Sequence, residues 1–413
     1  MYRMKILWMI NEEPVQVKQS RGEVQKGTGG WLETVSKMVG KDQLLQVIYP
    51  GRREIKHVID GVEYIQIDRI SEGNLKEGIK KLSDIILEFN PDIIHIWGTE
   101  MIHSYAMIEA ADKNGMLSHT VVSIQGLASF CSKHYYGGLS EAVIKSRSFR
   151  DVIKGDGLKQ QQVRMKNAGE YEKKTIEKTK HVIGRTTWDY ICSKCYNPKV
   201  IYHINEESLR PEFYKENWDI ENIKNHRLFV AQAHYPLKGF HFLLEAVAIL
   251  KATYFDISLH VGGYDNAFNS GLRETGYGRY IKKLIKKYGL SNCVTYVGLL
   301  SAKEMIQEYL QSEIYVSASA IENSSNSIAE AMLLGMPVVA SNVGGTPDML
   351  VDQEEGLLYQ WDSPEMLAYS LKKLFDSKEL ELSLASRAKE RAMSRQDFQA
   401  NYDTLKDIYK QIV

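Results

Sequence analysis

Cysteine is scarce in this 413-residue chain, with four in all, and proline is held to nine. Four cysteines without a secretion signal point to a reducing, cytoplasmic setting. Cys192 and Cys195 form one C-x-x-C. A zinc site needs further ligands at matching spacing and none is visible, so no metal is expected and the pair reads as ordinary helix residues. An excess of one charge is also missing. Lys+Arg and Asp+Glu both number 52, which argues against a nucleic-acid partner. No stretch approaches the ~20 apolar residues of a spanning helix. The apolar run Met4–Ile10 is too short for a signal sequence and leads straight into Asn11-Glu12-Glu13. Internal repeats and low-complexity segments are lacking too.

What is present is regular. Hydrophobic residues make up 44% and charged residues 25%, an ordinary globular balance, and the length suffices for two sizeable cores. Strand-like runs alternate with helical patterns from end to end, the signature of parallel α/β sheets. Expected strands in the first half are Lys5–Ile10, Leu44–Tyr49, Ile93–Trp97, Thr120–Ile124, His181–Gly184 and Val200–His203. Helices at about 31–39, 74–89, 100–114 and 160–179 fall between them. A second series follows Pro211, with strands at Leu228–Ala231, Ile257–Gly262, Val294–Val297, Ile314–Ser317 and Val338–Ala340. Residues 364–412 read as helical. The expectation is α/β: two Rossmann-like domains facing a ligand cleft, over 1–208 and 209–394, with a helix at 395–413 packing back on the first.

The most informative segment is 318–350. Glu322 and Glu330 bracket seven uncharged residues rich in Ser and Asn. Ser324 or Ser325 reads as a helix cap, Ile328–Leu334 as helix, and Gly335 with Pro337 as its stop. The free amides and dipole of that helix start suit a phosphate or pyrophosphate. Glu330 lies about five residues in, roughly 7 Å along the axis. A carboxylate beside a phosphate is repulsive unless hydroxyls hydrogen-bond to it. Sugars supply such hydroxyls on both sides of a pyrophosphate. The alternative is a capped helix carrying one solvated and one salt-bridged glutamate.

Other pieces agree. Gly27-Thr28-Gly29-Gly30 follows the first strand, where glycine lets backbone amides approach a phosphate, although the run is not a G-x-G-x-x-G fingerprint. Lys238-Gly239 follows a strand and places an ammonium where a pyrophosphate would bind. Gly262-Gly263 and Tyr296–Leu300 end two further strands, and the backbone around Val297–Leu299 is suited to reading a base edge. No Asp-x-Asp occurs, the pair with which metal-dependent sugar transferases hold a divalent ion on the diphosphate. Lysine, helix dipole and amides are left to neutralise the leaving group.

Glu322-x7-Glu330 followed by Ala-Met-x-x-Gly-x-Pro-Val-Val-Ala-Ser-x-x-Gly-Gly resembles the retaining glycosyltransferases of family 4, which have the two-Rossmann GT-B fold. The resemblance covers nearly the whole chain, and only the motif around 318–345 is highly specific. It implies that Glu322 contacts the transferred sugar and Glu330 the ribose. Amides of Asn326, Ser327 and Ile328 would hold the pyrophosphate and sugar, and Gly29 and Gly30 would close over it. Lys238 would stabilise the departing diphosphate, with Gly263 and Val297 also on the donor side. No cofactor is implied beyond the nucleotide-diphosphate sugar as substrate, with a glycan, lipid-linked or small-molecule acceptor. Two positions depart from the pattern. The family's arginine five residues before the lysine is Ala233, with His234 as a possible substitute. The histidine after the strand at 120–124 is Gln125, whose amide still offers hydrogen bonds to a sugar; His95 is another candidate or a buried structural histidine.

Competing expectations are a GT-B nucleotide-sugar epimerase, for which no extra acid/base residues are identified, and a non-catalytic nucleotide-sugar binder. Residues 136–180 stand apart, with eleven basic residues against six acidic ones and Tyr136, Leu139, Val143, Ile144, Phe149 and Val152 interleaved. Such a segment suits peripheral contact with the inner face of a membrane, or is a solvated helical face.

Overall fold

The computed structural model describes residues 3–24, 26, 32–264 and 268–413. Its chain forms two compact units, Met1–Phe130 with Lys166–Arg210 and Gln396–Val413, and Cys131–Met165 with Pro211–Arg395. Each is an α/β unit built on a parallel sheet.

The first unit's strands are β1 (Lys5–Met9), β2 (Leu44–Gly51), β3 (Ile55–Ile59), β4 (Val62–Asp68), β5 (Ile93–Trp97), β6 (Thr120–Ser123), β7 (His181–Gly184) and β8 (Ile201–Ile204). They lie in the order β3-β4-β2-β1-β5-β6-β7-β8, parallel except for β3 against β4. Continuous apolar runs such as Ile-Ile-His-Ile-Trp of β5, buried throughout, suit a strand covered on both faces. The hairpin β3–β4 was not expected, although its signal is in the chain. Asp60 and Gly61 both take positive φ, 51° and 79°, as a two-residue turn between strands requires.

The second unit's strands are β9 (Arg227–Val230), β10 (Ser258–Gly262), β11 (Val294–Gly298), β12 (Ile314–Ser317), β13 (Val338–Ser341) and β14 (Leu357–Tyr359), all parallel and ordered β11-β10-β9-β12-β13-β14. In both sheets the order reverses at a central pair, β1/β5 and β9/β12. Crossovers leave such a point to opposite faces, so a crevice opens beyond the strands' carboxyl ends.

The boundaries differ from the expected 1–208 and 209–394 in one stretch. Residues 131–165 belong to the second unit, because their apolar side chains are buried there. Tyr135, Leu139, Ile144 and Leu158 join the core of Leu243, Val247 and Ile281. His241 Nε2 donates to the Gly137 carbonyl at 2.7 Å, and Gly276 N to Asp151 Oδ2 at 2.7 Å.

The C-terminal helix Phe398–Ile412 belongs to the first unit. There the Tyr409 hydroxyl accepts from Trp8 Nε1 at 3.0 Å and pairs with His95 Nδ1 at 2.6 Å. His95 Nε2 pairs with Ser123 Oγ at 2.7 Å, and the ring stacks on Trp97. His95 is fully buried, so it is a structural histidine. Cys192 and Cys195 lie on the helix Thr187–Tyr196. Among the described residues no cluster suited to a metal ion occurs, and no helix is long and apolar enough to cross a membrane.

Tyr409→Phe leaves the Trp8 indole N–H and His95 Nδ1 buried without this partner. It should cost about 2–3 kcal/mol in urea unfolding followed by tryptophan fluorescence. Burial holds the His95 pKa well below its ordinary value. The unfolded chain therefore takes up a proton near pH 6.5 that the folded chain refuses. Stability should fall as pH drops below 6.5, by about 1.4 kcal/mol per pH unit for each such histidine. A His95→Gln variant, measured between pH 7 and 5, should show a correspondingly smaller slope.

Candidate functional site

Lys238 and Glu322 meet beyond the carboxyl ends of β9 and β12, the pair at which the second sheet's order reverses. The loop after β9 ends in the short turn Pro236–Lys238 and Gly239. Beyond it the helix Phe240–Leu250 buries Phe240, Leu243, Leu244 and Val247, which fixes where Lys238 emerges. The loop after β12 carries Ser319 and Glu322. Ala320 N donates to the Leu237 carbonyl at 2.8 Å and ties the two loops together. Gly239 has φ +62°, and a Cβ there would overlap the Ala318 carbonyl oxygen. The Lys-Gly pair thus lets one loop seat on the other.

Lys238 Nζ forms an ion pair with Glu322 Oε1, and Ser319 Oγ donates to the same oxygen at 2.7 Å. Burial alone would lower the Lys238 pKa, but the charge of Glu322 outweighs it and holds the ammonium above its ordinary range. The backbone of Glu322 is fixed from its other side. Gly345 N donates to the Glu322 carbonyl at 3.0 Å. Gly344 has φ +53°, and a Cβ there would overlap that same carbonyl oxygen. This is the physical content of the Gly-Gly that closes the motif.

The helix Asn326–Leu334 begins next to this pair. Ser325 is its N-cap residue, yet no side chain caps it. Asn326 and Ser327 are half-buried there and Ile328 is buried. Gly335, at φ +80°, ends the helix. Glu330 is only 5% exposed, so it is no solvated carboxylate. The Tyr309 hydroxyl lies 3.0 Å from the Ser327 carbonyl and 3.3 Å from Glu330 Oε2. Tyr315 of β12 stands among these groups. Burial raises its pKa, a hydrogen bond with Ser327 and the Lys238 charge oppose the rise, and Glu322 and Glu330 add to it.

His234 does not replace the missing arginine. Burial, with the Lys238 charge beside it, lowers its pKa to about 4, so the ring is neutral near pH 7. Its Nδ1 is buried with no hydrogen-bond partner among the described residues. Ala233 is buried in the core. Gly263, at φ +95°, directly follows β10; its carbonyl accepts from the Tyr296 hydroxyl at 2.7 Å. Val297 is half-buried on β11.

The first unit has its own cavity at its reversal point, about 300 Å³ in volume. Trp8, Ile10, Trp97, Glu12, Glu100 and Gln125 are among its walls. Burial raises the Glu100 pKa, against hydrogen bonds from backbone amides. The Gln125 amide donates to Glu207, which Arg185 holds at 2.6 Å. Gln125 is thus oriented by a buried ion pair rather than left mobile. Gly29 and Gly30 lie outside the described residues.

The structure therefore brings Lys238, Glu322, Glu330 and residues 326–328 together within one unit, with His234 close to Lys238. Ser319, Tyr309 and Tyr315 were not singled out in the sequence. Ser319, three residues before Glu322, carried a faint signal; the tyrosines carried none.

Residues 212–391 match the family model described as glycosyl transferases group 1. The match spans the Lys238–Glu322 site. A D-inositol 3-phosphate glycosyltransferase of Corynebacterium urealyticum is 26% identical over 43% of this chain and 41% of its own length. Spore coat protein SA of Bacillus subtilis is 23% identical over 55% and 58%. The chain thus spans less than two thirds of the length of these curated relatives. Among solved structures, sucrose-phosphate synthase from Thermosynechococcus elongatus superposes with a TM-score of 0.73 at 15% identity, covering 99% of each chain. Anabaena HepE in complex with UDP-glucose gives 0.67 at 16% identity, covering 99% of this chain and 100% of that one. At such identities the likeness is one of fold, and that fold is the GT-B fold of glycosyltransferases.

Gly239→Ala forces an L-residue into the left-handed region and a methyl into the Ala318 carbonyl. It should lower the second unit's stability by roughly 2–4 kcal/mol in denaturant unfolding.

Proposed function

We propose that the protein transfers a sugar from a nucleotide-diphosphate donor to a hydroxyl acceptor with retention of anomeric configuration and without a metal ion. The observation that carries the reading is the Lys238–Glu322 pair held beside a helix N-terminus that no side chain caps. An ammonium and free amides suit the diphosphate, and the adjacent carboxylate suits sugar hydroxyls. The group 1 family match over 212–391 supports it, as does the fold shared with HepE, whose structure holds UDP-glucose.

In this reading Glu322 accepts hydrogen bonds from the transferred sugar. Glu330, kept from bulk water near Tyr309, accepts from the ribose. Amides of Asn326, Ser327 and Ile328 bind the pyrophosphate. Gly263, Val297 and His234 line the donor side, His234 as a neutral hydrogen-bonding group. The acceptor oxygen attacks from the face of the leaving group. The bond from anomeric carbon to phosphate oxygen breaks, and the acceptor's proton passes to that phosphate. Lys238 stabilises the charge that develops on the diphosphate, the largest contribution asked of the protein. Gln125 and the cavity of the first unit receive the acceptor. With two tryptophans, four glutamates and no basic residue among its described walls, that cavity disfavours an anion and suits a hydroxyl-bearing acceptor such as a glycan or the sugar of a lipid-linked intermediate.

A second reading, a nucleotide-sugar binder without turnover, is favoured by one observation. With Ala233 in the core and His234 neutral, the cation paired to Glu322 has no second cation beside it in the loop 231–239. Incubation with a panel of nucleotide sugars, UDP-sugars first, separates the two. Release of nucleoside diphosphate that rises with added acceptor supports transfer; tight binding without release supports the binder. Glu322→Ala should mainly lower turnover, by at least about 100-fold. Glu330→Ala should raise the donor Kd about 10- to 100-fold by calorimetry. Negligible effects of both variants would sink the assignment.

A further inference from the structure

Four large apolar side chains are exposed within fifteen residues of the stretch that joins the second unit. Phe149 is 68% exposed, Val152 57%, Ile153 65% and Val163 53%. The first three stand at i, i+3 and i+4 of the helix Phe149–Lys154, so they share one face. Val163 belongs to the helix Leu158–Lys178. Its neighbour Arg164 donates to the Gly155 carbonyl at 2.7 Å, the residue that ends the first helix. The four side chains therefore come from two adjoining elements. Exposed apolar residues occur singly elsewhere on most proteins and need no explanation; a cluster does.

The opposite side of the same short helix is anchored. Ser148 caps it reciprocally with Asp151, which is buried and accepts from Gly276 N at 2.7 Å. Ile144 and Leu158, on either side of it in the chain, sit in the second unit's core. The apolar face is thus presented outward by a helix fastened from behind, not by a loose loop. Around it the charge is of one sign. Lys145, Arg147, Lys154, Lys159 and Arg164 are exposed. Of the three acidic residues between 141 and 166, Asp151 is buried and Asp156 is half-buried against Arg150, leaving only Glu141 exposed. Glu141 is taken by Lys145. Lys154 and Lys159 form no salt bridge among the described residues, and Lys159 only adds its charge to the field at Glu141.

We propose that this face, Phe149, Val152, Ile153 and Val163 flanked by exposed basic residues, docks on an anionic lipid bilayer. Apolar side chains enter the headgroup boundary and the lysines pair with lipid phosphates, as an interfacial amphipathic element does. A protein partner for an apolar face has no need of Lys154 and Lys159 free of salt bridges beside it, whereas an anionic surface attracts both of them. The inference uses none of the groups assigned to sugar transfer, so each stands or falls without the other.

The test is co-sedimentation of the full chain with vesicles of phosphatidylcholine alone and of phosphatidylcholine with phosphatidylglycerol. Binding to the anionic vesicles alone, weakened by added salt, is expected. Phe149→Ser and Ile153→Ser should each weaken it about tenfold, and Lys154→Gln and Lys159→Gln about fivefold each. All four positions are exposed, so the thermal unfolding midpoint should not move; a variant whose midpoint falls is replaced by Val163→Ser, read in the same way. Equal binding to both vesicle types, or none to either, overturns the proposal. So does a concentration-dependent dimer that Phe149→Ser abolishes, which would make a second copy the occupant.

Discussion

The second unit is organised around the contact between the loop after β9 and the loop after β12. Lys238 and Glu322 lie in that contact, 17% and 15% exposed. Withdrawing two charges from water is costly, and a buried ion pair is weak evidence of a stabilising device. Here the surroundings are built for the pair at further cost. Two glycines sit in the left-handed region, Gly239 under the Ala318 carbonyl and Gly344 under the Glu322 carbonyl. Ser319 spends its hydroxyl on the same carboxylate oxygen that meets the lysine. A pair kept at such expense at the carboxyl end of a parallel sheet is better explained by what it binds than by what it holds together.

Topology decides where such a pair falls. In each sheet the strand order reverses once, and the loops leaving the two central strands diverge to opposite faces. In the second unit those loops carry Lys238 and Glu322. In the first they carry Ile10–Glu13, Glu100 and Met101, which help to wall the 300 Å³ cavity. The same rule thus places a charged site in one unit and an aromatic, acidic cavity in the other.

Much of this was legible in the sequence. Strands buried on both faces write themselves as unbroken apolar runs, so β1, β5, β6 and β9 were found nearly to the residue. The Glu322–Glu330 segment announced a helix start because Ser and Asn precede an apolar helical run and Gly335 ends it. The β3–β4 hairpin was legible in Asp60-Gly61, but β3 alternates in exposure instead of running apolar and so lacks the signal of the other strands. Other features had no local signal. That residues 131–165 pack in the second unit depends on partners about a hundred residues away, His241 and Gly276. Tyr309, on the helix Ala302–Leu310, and Tyr315, on β12, reach Glu330 and its surroundings only through tertiary packing. The character of His234 was also beyond sequence reasoning, because its neutrality comes from burial and from Lys238 rather than from its neighbours in the chain.

The charge balance around Glu322 makes the recognition of sugar and diphosphate interdependent under the proposed function. Without substrate, the ammonium and carboxylate satisfy each other. A diphosphate drawing Lys238 toward itself leaves Glu322 short of a donor, and a sugar hydroxyl restores one. A hydroxyl alone, with Lys238 still in place, gains little at a carboxylate already paired to an ammonium and to Ser319. A diphosphate alone leaves a carboxylate close by with only Ser319 to offset the repulsion. The two halves of a nucleotide-diphosphate sugar together meet both needs. The pair therefore favours the intact donor over either fragment, and after transfer the departing diphosphate must compete with Glu322 for the lysine. That competition promotes release, so the ion pair resets the site.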